Sequence, residues 1–313
     1  MEFGSLLEEI VRHDIITIFR HEHPDCDAVG SQFGLKQWIN ENWPAKKVYA
    51  LGYESCSQAE WPASDIVSDD TIRKSLAIVV DTANAARVDD SRFQTAVRVI
   101  KIDHHPNREH FGSDEYVYEN AAAASEILTR FFRDCTGQKM SLLTAEYLYR
   151  GILTDTLCFK TNNTTSHTLA MASFLAGFGI DIPEINRELF DQSLDEFRFA
   201  AWVRTHIRMK GSHLAYIVIT LEDLKTWNID AGRARNFITE IGQVREFLVW
   251  AVFTQKELDG NLVYDGSLRS KEIAVNEVAE HFNGGGHRNA AGVKNLTGES
   301  LNSLIESLCS KIE

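Results

Sequence analysis

Four short apolar runs in the first third of the chain, at residues 15–19, 47–51, 76–80 and 97–102, constrain the fold most. Each is rich in β-branched residues, and together they read as strands buried on both faces. Helical patterns separate them, the first over 29–40. Further on, 123–134, 141–151 and 166–177 read as three helices, divided by the turn-forming stretches "DCTGQ" and "TNNTT". Strands that alternate with helices build a parallel sheet covered by helices, so the predicted class is α/β.

The length of 313 residues suits two domains. From residue 183 to 209 the pattern is helical and charged ("PEINRELFDQSLDEFRFAAWVRTHIRM") and reads as a linker of one or two helices. A new β pattern begins with "HLAYIVITL" at His213 and continues in "REFLVWAVFTQ" and "LVYDGSLRS". The expected division is therefore 1–182, a helical linker 183–209, and a smaller α+β domain 210–313.

Net charge is −13, and no basic stripe of the kind that grips long nucleic acid is evident. Long duplex DNA is thus an unsuitable substrate. A small anion remains compatible, because bound divalent cations reverse the field of a carboxylate-rich pocket. No apolar run reaches the roughly 18 residues of a membrane span, and the acidic start lacks the basic flank of a signal peptide. The stretch "EFGS" at residues 2–5 resembles a vector-derived leader and carries no weight in the reading. Five scattered cysteines without a C-x-x-C pair argue against a disulfide frame or a zinc knuckle and fit a reducing cytoplasm.

Chemistry-bearing residues fall at the ends of the apolar runs. After the first, "HEHPDCDAVGS" carries His21, His23, Asp25 and Asp27; after the third comes Asp81 in "VVDTAN"; after the fourth come Asp103, His104 and His105; "GILTDT" ends another apolar run at Asp155. Ligands of open α/β sheets bind beyond the carboxyl ends of the strands. Four such ends would bring Asp and His to one rim, a donor mixture that suits a divalent ion such as Mn²⁺. Taken singly, each Asp could equally cap a helix.

"HEHPDCDAVGS", "VVDTAN", "IDHHP", "GILTDT" and "GGGHRNAAG", in this order, resemble the successive motifs of the DHH phosphoesterase family with a C-terminal DHHA1 domain. Within it the compact two-domain form resembles the nanoRNase/pAp-phosphatase branch. The resemblance implies a manganese-dependent hydrolase of short oligoribonucleotides and pAp. It assigns His21, Asp25 and Asp81 to one ion, and Asp27, Asp81, His104 and Asp155 to a second, with Asp81 as the bridge. Asp103 would orient an imidazole and His105 would face the substrate, the two forming the catalytic pair. His23 receives no role. Two divalent ions about 3.5–4 Å apart can deprotonate a shared water and stabilise both attacking and leaving oxygens of a phosphoester.

In the second domain the resemblance places Arg269, Ser270 and His287 on the substrate's terminal nucleotide and phosphates. Gly284, Gly285 and Gly286, ahead of an expected small-residue helix, would let backbone N–H groups approach an anion. The implied partner is short single-stranded RNA or a mono- or dinucleotide, with no membrane, and a homodimer is compatible with this organisation. Other readings are a hydrolase of pApA or c-di-AMP and a nucleotide-binding sensor without catalysis. A RecJ-like exonuclease fits poorly with a short acidic chain, and "GGGH" marks a C-terminal domain other than that of family II pyrophosphatases. The chain departs from the family pattern at Leu157 and Cys158, where many relatives carry Gly and a polar or basic residue, at Asn283 in place of a first glycine, and at Cys26, where glycine is frequent.

Overall fold

A computed structural model describes residues 3–56, 58–135 and 137–312; the side chain of His287 lies outside that description. The chain divides into two compact units, Met1–Asp191 and Gln192–Glu313.

Unit 1 contains α1 (Gly4–Arg12), β1 (Ile15–Phe19), α2 (Cys26–Asn42), β2 (Lys47–Ala50), α3 (Asp69–Arg73), β3 (Leu76–Val80), β4 (Arg98–Asp103), β5 (Asp114–Val117), α4 (Ala124–Asp134), α5 (Leu142–Asp155), α6 (Ser166–Ala176) and α7 (Ile182–Phe190). Its five strands lie in the order β2-β1-β3-β4-β5, all parallel. Side chains alternate across the sheet. Ile16, Ile18, Ile78, Val80, Ile100 and Ile102 face a core shared with helices α2, α4, α5 and α6. Phe19, Ala77 and Val79 face a second core with Ile72 and Phe93. Burial on both faces explains the near-continuous apolar runs, and each such Ile or Val contributes about 1.5–3 kcal/mol when fully buried. Phe3, within the stretch set aside as a leader, is buried against Tyr116, Tyr118 and Phe131.

Unit 2 contains α8 (Leu194–Thr205), β6 (Arg208–Lys210), β7 (Leu214–Ile219), α9 (Leu221–Thr226), α10 (Ala231–Asn236), β8 (Val249–Leu258), β9 (Asn261–Ser270), α11 (Val275–Glu280), β10 (Gly285–His287), β11 (Ala290–Leu296) and α12 (Gly298–Ser310). Its sheet runs β10-β11-β9-β8-β7-β6, with β7 and β8 parallel and the other pairs antiparallel. Of the helices expected as a linker, α7 belongs to unit 1 and α8 to unit 2. Among the described residues no helix is long and apolar enough to cross a membrane.

Three local expectations are corrected. Helix α2 begins at Cys26 rather than Val29, because Asp25 caps it by accepting the N–H groups of Asp27 and Ala28, both at 3.0 Å. Asp155 ends a helix, not a strand: "GILTD" is the last turn of α5, whose apolar residues pack inward. A short apolar run is equally compatible with either element. Finally, "GGGHRNAAG" does not lead into a helix. It forms the β10–β11 hairpin, with Gly285 paired to Gly292 and His287 to Ala290. Two of the glycines are steric necessities there: a Cβ on Gly284 would sit 2.3 Å from the Gly292 carbonyl oxygen, and one on Gly286, whose φ is +142°, 2.5 Å from that of Ala290. Asn283 takes φ +55° at the turn after α11, a conformation Asn tolerates better than most residues, which accounts for its standing in a glycine's place.

The segment after Asp155 is strained. Leu157, Cys158 and Phe159 take φ values of +47°, +58° and +63°. Their turn is held by the N–H of Cys158 on the Leu153 carbonyl (2.9 Å), that of Lys160 on the Thr156 carbonyl (2.7 Å) and that of Phe159 on Thr156 Oγ1 (3.0 Å). Left-handed backbone costs a non-glycine residue about 1–2 kcal/mol. Leu157 is half exposed and its side chain returns little of that. Leu157→Gly is therefore expected to raise stability by about 0.5–1 kcal/mol after glycine's larger unfolded-state entropy is subtracted, measurable as a higher urea midpoint.

Candidate metal centre

Each proposed ligand is held by its own local structure. His21 leaves β1 through a bridge to Val88. Its Nδ1 lies 2.7 Å from the Glu22 carbonyl, so that nitrogen donates, and Nε2 faces carboxylates: Asp81 Oδ2 at 3.3 Å and Asp25 Oδ1 at 3.8 Å. A ring fixed in this way presents a lone pair to a cation. Asp27, fully buried, reaches across to α4. Its two oxygens accept the N–H groups of Ala124 (2.6 Å) and Ser125 (2.9 Å), at a helix start with no side-chain cap of its own. Asp27 thus serves a neighbouring helix while turning toward the rim.

Asp81 follows β3 in a left-handed conformation, φ +49°. Its Oδ1 lies 3.3 Å from His104 Nε2 and 3.6 Å from His105 Nδ1. His104 Nε2 also lies 3.3 Å from Asp155 Oδ2. Three groups of donor atoms converge within 4.8 Å: His21, Asp25 and Asp81; Asp27, His104 and Asp155; and Asp81, His104 and His105. Asp81 belongs to two of the three. Asp103 stands behind them. Its Oδ1 accepts the backbone N–H of His104 (2.9 Å) and the ring Nδ1–H of His105 (2.8 Å). Its Oδ2 lies 3.5 Å from the ammonium of Lys101, which is buried and donates to the Ala83 carbonyl (2.9 Å). Sequence reasoning passed over Lys101 because a Lys inside a strand reads as an exposed alternation.

His23 stays outside this cluster. Its φ is +52°, and its backbone N–H and ring are both held by Glu54. The Cys26 thiol also faces away, toward Cys56 and Gln58.

Glycines bring α2 against α5, and these too escaped the sequence reading. A Cβ on Gly30 would lie 2.5 Å from the Tyr147 carbonyl oxygen; one on Gly34, 2.9 Å from Leu148; one on Gly151, 2.2 Å from Ser125 Oγ and 2.7 Å from Asp27 Oδ1. The four-residue spacing of Gly30 and Gly34 puts both on one helix face, which is the signal that could have found the contact. Their close approach sets the α2 carboxylate Asp27 near the α5 carboxylate Asp155.

The electrostatics ask for a cation. Burial, then the charge of Asp81, pushes Asp27 up to about 7. Burial, then Asp27 and Asp81, holds Asp155 well above the ordinary carboxylate range, and a helix C-terminus adds to that disfavour. Burial raises Asp81 too, but the adjoining His104 and His21 rings outweigh it and hold it low. For His21, burial opposes the charged ring, yet Asp25 and Asp81 raise it to about 11; for His104, Asp81 outweighs burial and raises it to about 10. Asp81 Oδ1 is buried without a hydrogen-bond donor. An orphaned carboxylate oxygen among imidazole nitrogens and carboxylates fits a divalent ion of the Mn²⁺ or Mg²⁺ kind and lacks the thiolates of a structural zinc site.

Both rings carry protons near neutral pH while no ion is bound, and a metal ion requires them neutral. Metal binding is therefore expected to release protons, and apparent affinity to fall as pH is lowered. Calorimetric titration with Mn²⁺ in buffers of different ionisation enthalpy checks this; a heat independent of buffer would contradict it.

In unit 2, Arg269 lies opposite Ala290, and Ala290 opposite His287, in one row across β9, β11 and β10. Burial lowers the Arg269 guanidinium from its ordinary value, and its Nη1 donates to the Leu268 carbonyl at 2.9 Å. Ser270 is engaged structurally: its hydroxyl bonds to the Ile273 carbonyl and accepts from Asn289 Nδ2 at 2.9 Å.

Comparison with known proteins gives the family. The model described as "DHH family, N-terminal domain" matches residues 15–152, and the "DHHA1 domain" model matches 213–313. A Streptococcus mutans protein described as a probable bifunctional oligoribonuclease and PAP phosphatase NrnA is 37% identical over 295 residues, 94% of each chain. The chain belongs to the DHH family. This DHH protein is also 29% identical to the bifunctional oligoribonuclease and PAP phosphatase NrnA of Bacillus subtilis, over 99% of each chain. Its fold is that of an exopolyphosphatase-related protein from Bacteroides fragilis, with a TM-score of 0.87 at 24% identity, covering 98% of this chain and 96% of the other.

Proposed function

We propose that this phosphoric ester hydrolase cleaves short oligoribonucleotides and pAp, using two divalent ions, manganese foremost. The observation that carries the reading is the pair of donor groups His21/Asp25/Asp81 and Asp27/His104/Asp155, drawn from four separate segments and linked by Asp81 Oδ1 lying 3.3 Å from His104 Nε2. His21, Asp25 and Asp81 would hold one ion, and Asp27, Asp81, His104 and Asp155 the other. When bound, such a pair lowers the pKa of a shared water and offsets charge on the phosphoryl oxygens. The chain's own contribution is position and proton control. Asp103 accepts from Nδ1–H of His105 and fixes the ring, which would donate through Nε2 to a phosphoryl or leaving oxygen when it carries a second proton. The Lys101 ammonium, 3.5 Å from Asp103 Oδ2, steadies the carboxylate from behind for that task. Arg269 and the β10–β11 hairpin with Gly284, Gly285, Gly286 and His287 would bind a phosphate of the substrate, where a planar guanidinium makes two-point contact. Ser270 would support that surface through Asn289 rather than by direct contact.

The test is turnover with Mn²⁺ of pAp, pApA, c-di-AMP and single-stranded RNA from dimer upward. Fast cleavage of pAp and the shortest RNAs, falling with length, is expected. Equal turnover of all lengths would overturn the short-substrate reading, preference for c-di-AMP would favour a dinucleotide hydrolase, and tight binding without turnover would favour a sensor. Arg269→Ala should raise KM by about 10-fold or more, the value of a charge-assisted hydrogen bond, with metal content unchanged. Loss of metal in that variant would contradict the assignment.

A further inference from the structure

The sequence motif left unused by this function is the cysteine inside the ligand segment. Cys26 is the first residue of α2, directly between Asp25 and Asp27, and is fully buried. Its Sγ lies 3.9 Å from Sγ of Cys56, a partly exposed residue in the loop after β2. One carbonyl gathers both thiols. Gln58 O accepts from Cys26 Sγ at 3.6 Å, from Cys56 Sγ at 3.5 Å, and from Trp61 Nε1 at 2.7 Å. The loop is anchored before Cys56 as well. The N–H groups of Tyr53 and Glu54 bond to Asp89 Oδ2 at 2.8 and 3.0 Å, and the buried guanidinium of Arg20 bonds to the carbonyls of Leu51 and Glu54. Two reduced thiols are thus held side by side, one reachable from solvent and the other covalently adjacent to two of the proposed ligands.

We infer that Cys26 and Cys56 are a site of reversible oxidative modification that turns metal binding down. With a peroxide as oxidant, the Cys56 thiolate attacks one peroxide oxygen, giving Cys56 sulfenic acid and one water. The Cys26 thiol then attacks that sulfur, expelling its oxygen as a second water and forming the disulfide. Two thiols are oxidised and one peroxide is reduced to two waters. The bond requires the sulfurs to close from 3.9 Å to about 2.05 Å. The anchored loop resists this movement on one side. On the other, Cys26 can follow only by moving the first turn of α2, and with it the Asp25 cap and the Asp27 contacts to Ala124 and Ser125. Cysteines in reducing compartments form disulfides chiefly as transient redox signals, so the reduced pair is the metal-competent state.

The inference rests on Asp25 and Asp27 as metal ligands, but the bond itself does not depend on that reading. The full-length protein, freed of metal, is treated with hydrogen peroxide, digested without reduction and mapped by mass spectrometry, while Mn²⁺ affinity is measured by calorimetry before and after. A Cys26–Cys56 linked peptide is expected, together with metal affinity lower by roughly tenfold or more. Dithiothreitol restores both, and Cys56→Ser keeps full affinity after peroxide. Absence of the linked peptide overturns the modification site. A linked peptide with unchanged Mn²⁺ affinity overturns its effect on the metal centre, and equal loss of affinity in Cys56→Ser assigns that loss to another group.

Discussion

Asp81→Asn is expected to lose hydrolysis by roughly a thousandfold or more, the rate equivalent of the several kcal/mol that divalent ions supply to a phosphoryl transition state. Asn is the instructive replacement. Residue 81 has φ +49°, which Asn accepts while Ala would add backbone strain, so the loss reports on charge rather than folding. The amide keeps one acceptor oxygen but removes the negative charge that His21 and His104 share. Mn²⁺ should raise the melting temperature of the parent protein, because an ion that binds only the folded state stabilises it, and should fail to do so in the variant. Full activity in a folded Asp81→Asn protein would sink the shared-carboxylate assignment.

Gly30→Ala is expected to disable the same site from the back. The added methyl would stand 2.5 Å from the Tyr147 carbonyl oxygen, and backbone cannot yield as a flexible side chain does. Helices α2 and α5 must separate, at about 1–3 kcal/mol of stability. Their separation carries Asp27 away from Asp155. A misplacement near 1 Å in a preorganised site can cost about 100-fold, so activity should fall by roughly that factor although no ligand is altered. Circular dichroism during urea unfolding and a kinetic assay on the same preparation separate the two effects. An active variant of lowered stability would show that the helix contact does not set the carboxylate spacing.

Much of this was legible in the chain because strands β1 and β3 are buried on both faces and read as continuous apolar runs, while β4 keeps such a run broken only by Arg98 and Lys101. Asp25, Asp27, Asp81 and Asp103 to His105 sit just beyond the ends of those runs. The edge strand β5, "DEYV", escaped notice: it is four residues long and half charged, as exposed edges tend to be. Asp155 lay in a sequence that a strand or a helix could own, and only packing against α2 decides. The hairpin of "GGGHRNAAG" has no local strand signature, since its Gly and Ala residues become strands through pairing with β9. The Gly30–Gly34 contact involves no polar residue and so attracts no attention in a search for chemistry.

Lys101, sealed inside the sheet beside Asp103, has a consequence for valence. On the two-ion reading, Asp25, Asp27, Asp81 and Asp155 offer four negative charges, matching the four positive charges of two divalent ions. Asp103 would be a fifth, and Lys101 cancels it from within. The ions and carboxylates then balance while the shared water keeps its proton, which limits repulsion toward an arriving phosphate. Two potassium or sodium ions would leave these carboxylates two charges short, with Asp27 and Asp81 among them buried where an unbalanced charge is disfavoured. Selection by valence would therefore operate before selection by ionic radius, and abundant monovalent salt would be a poor competitor for the site.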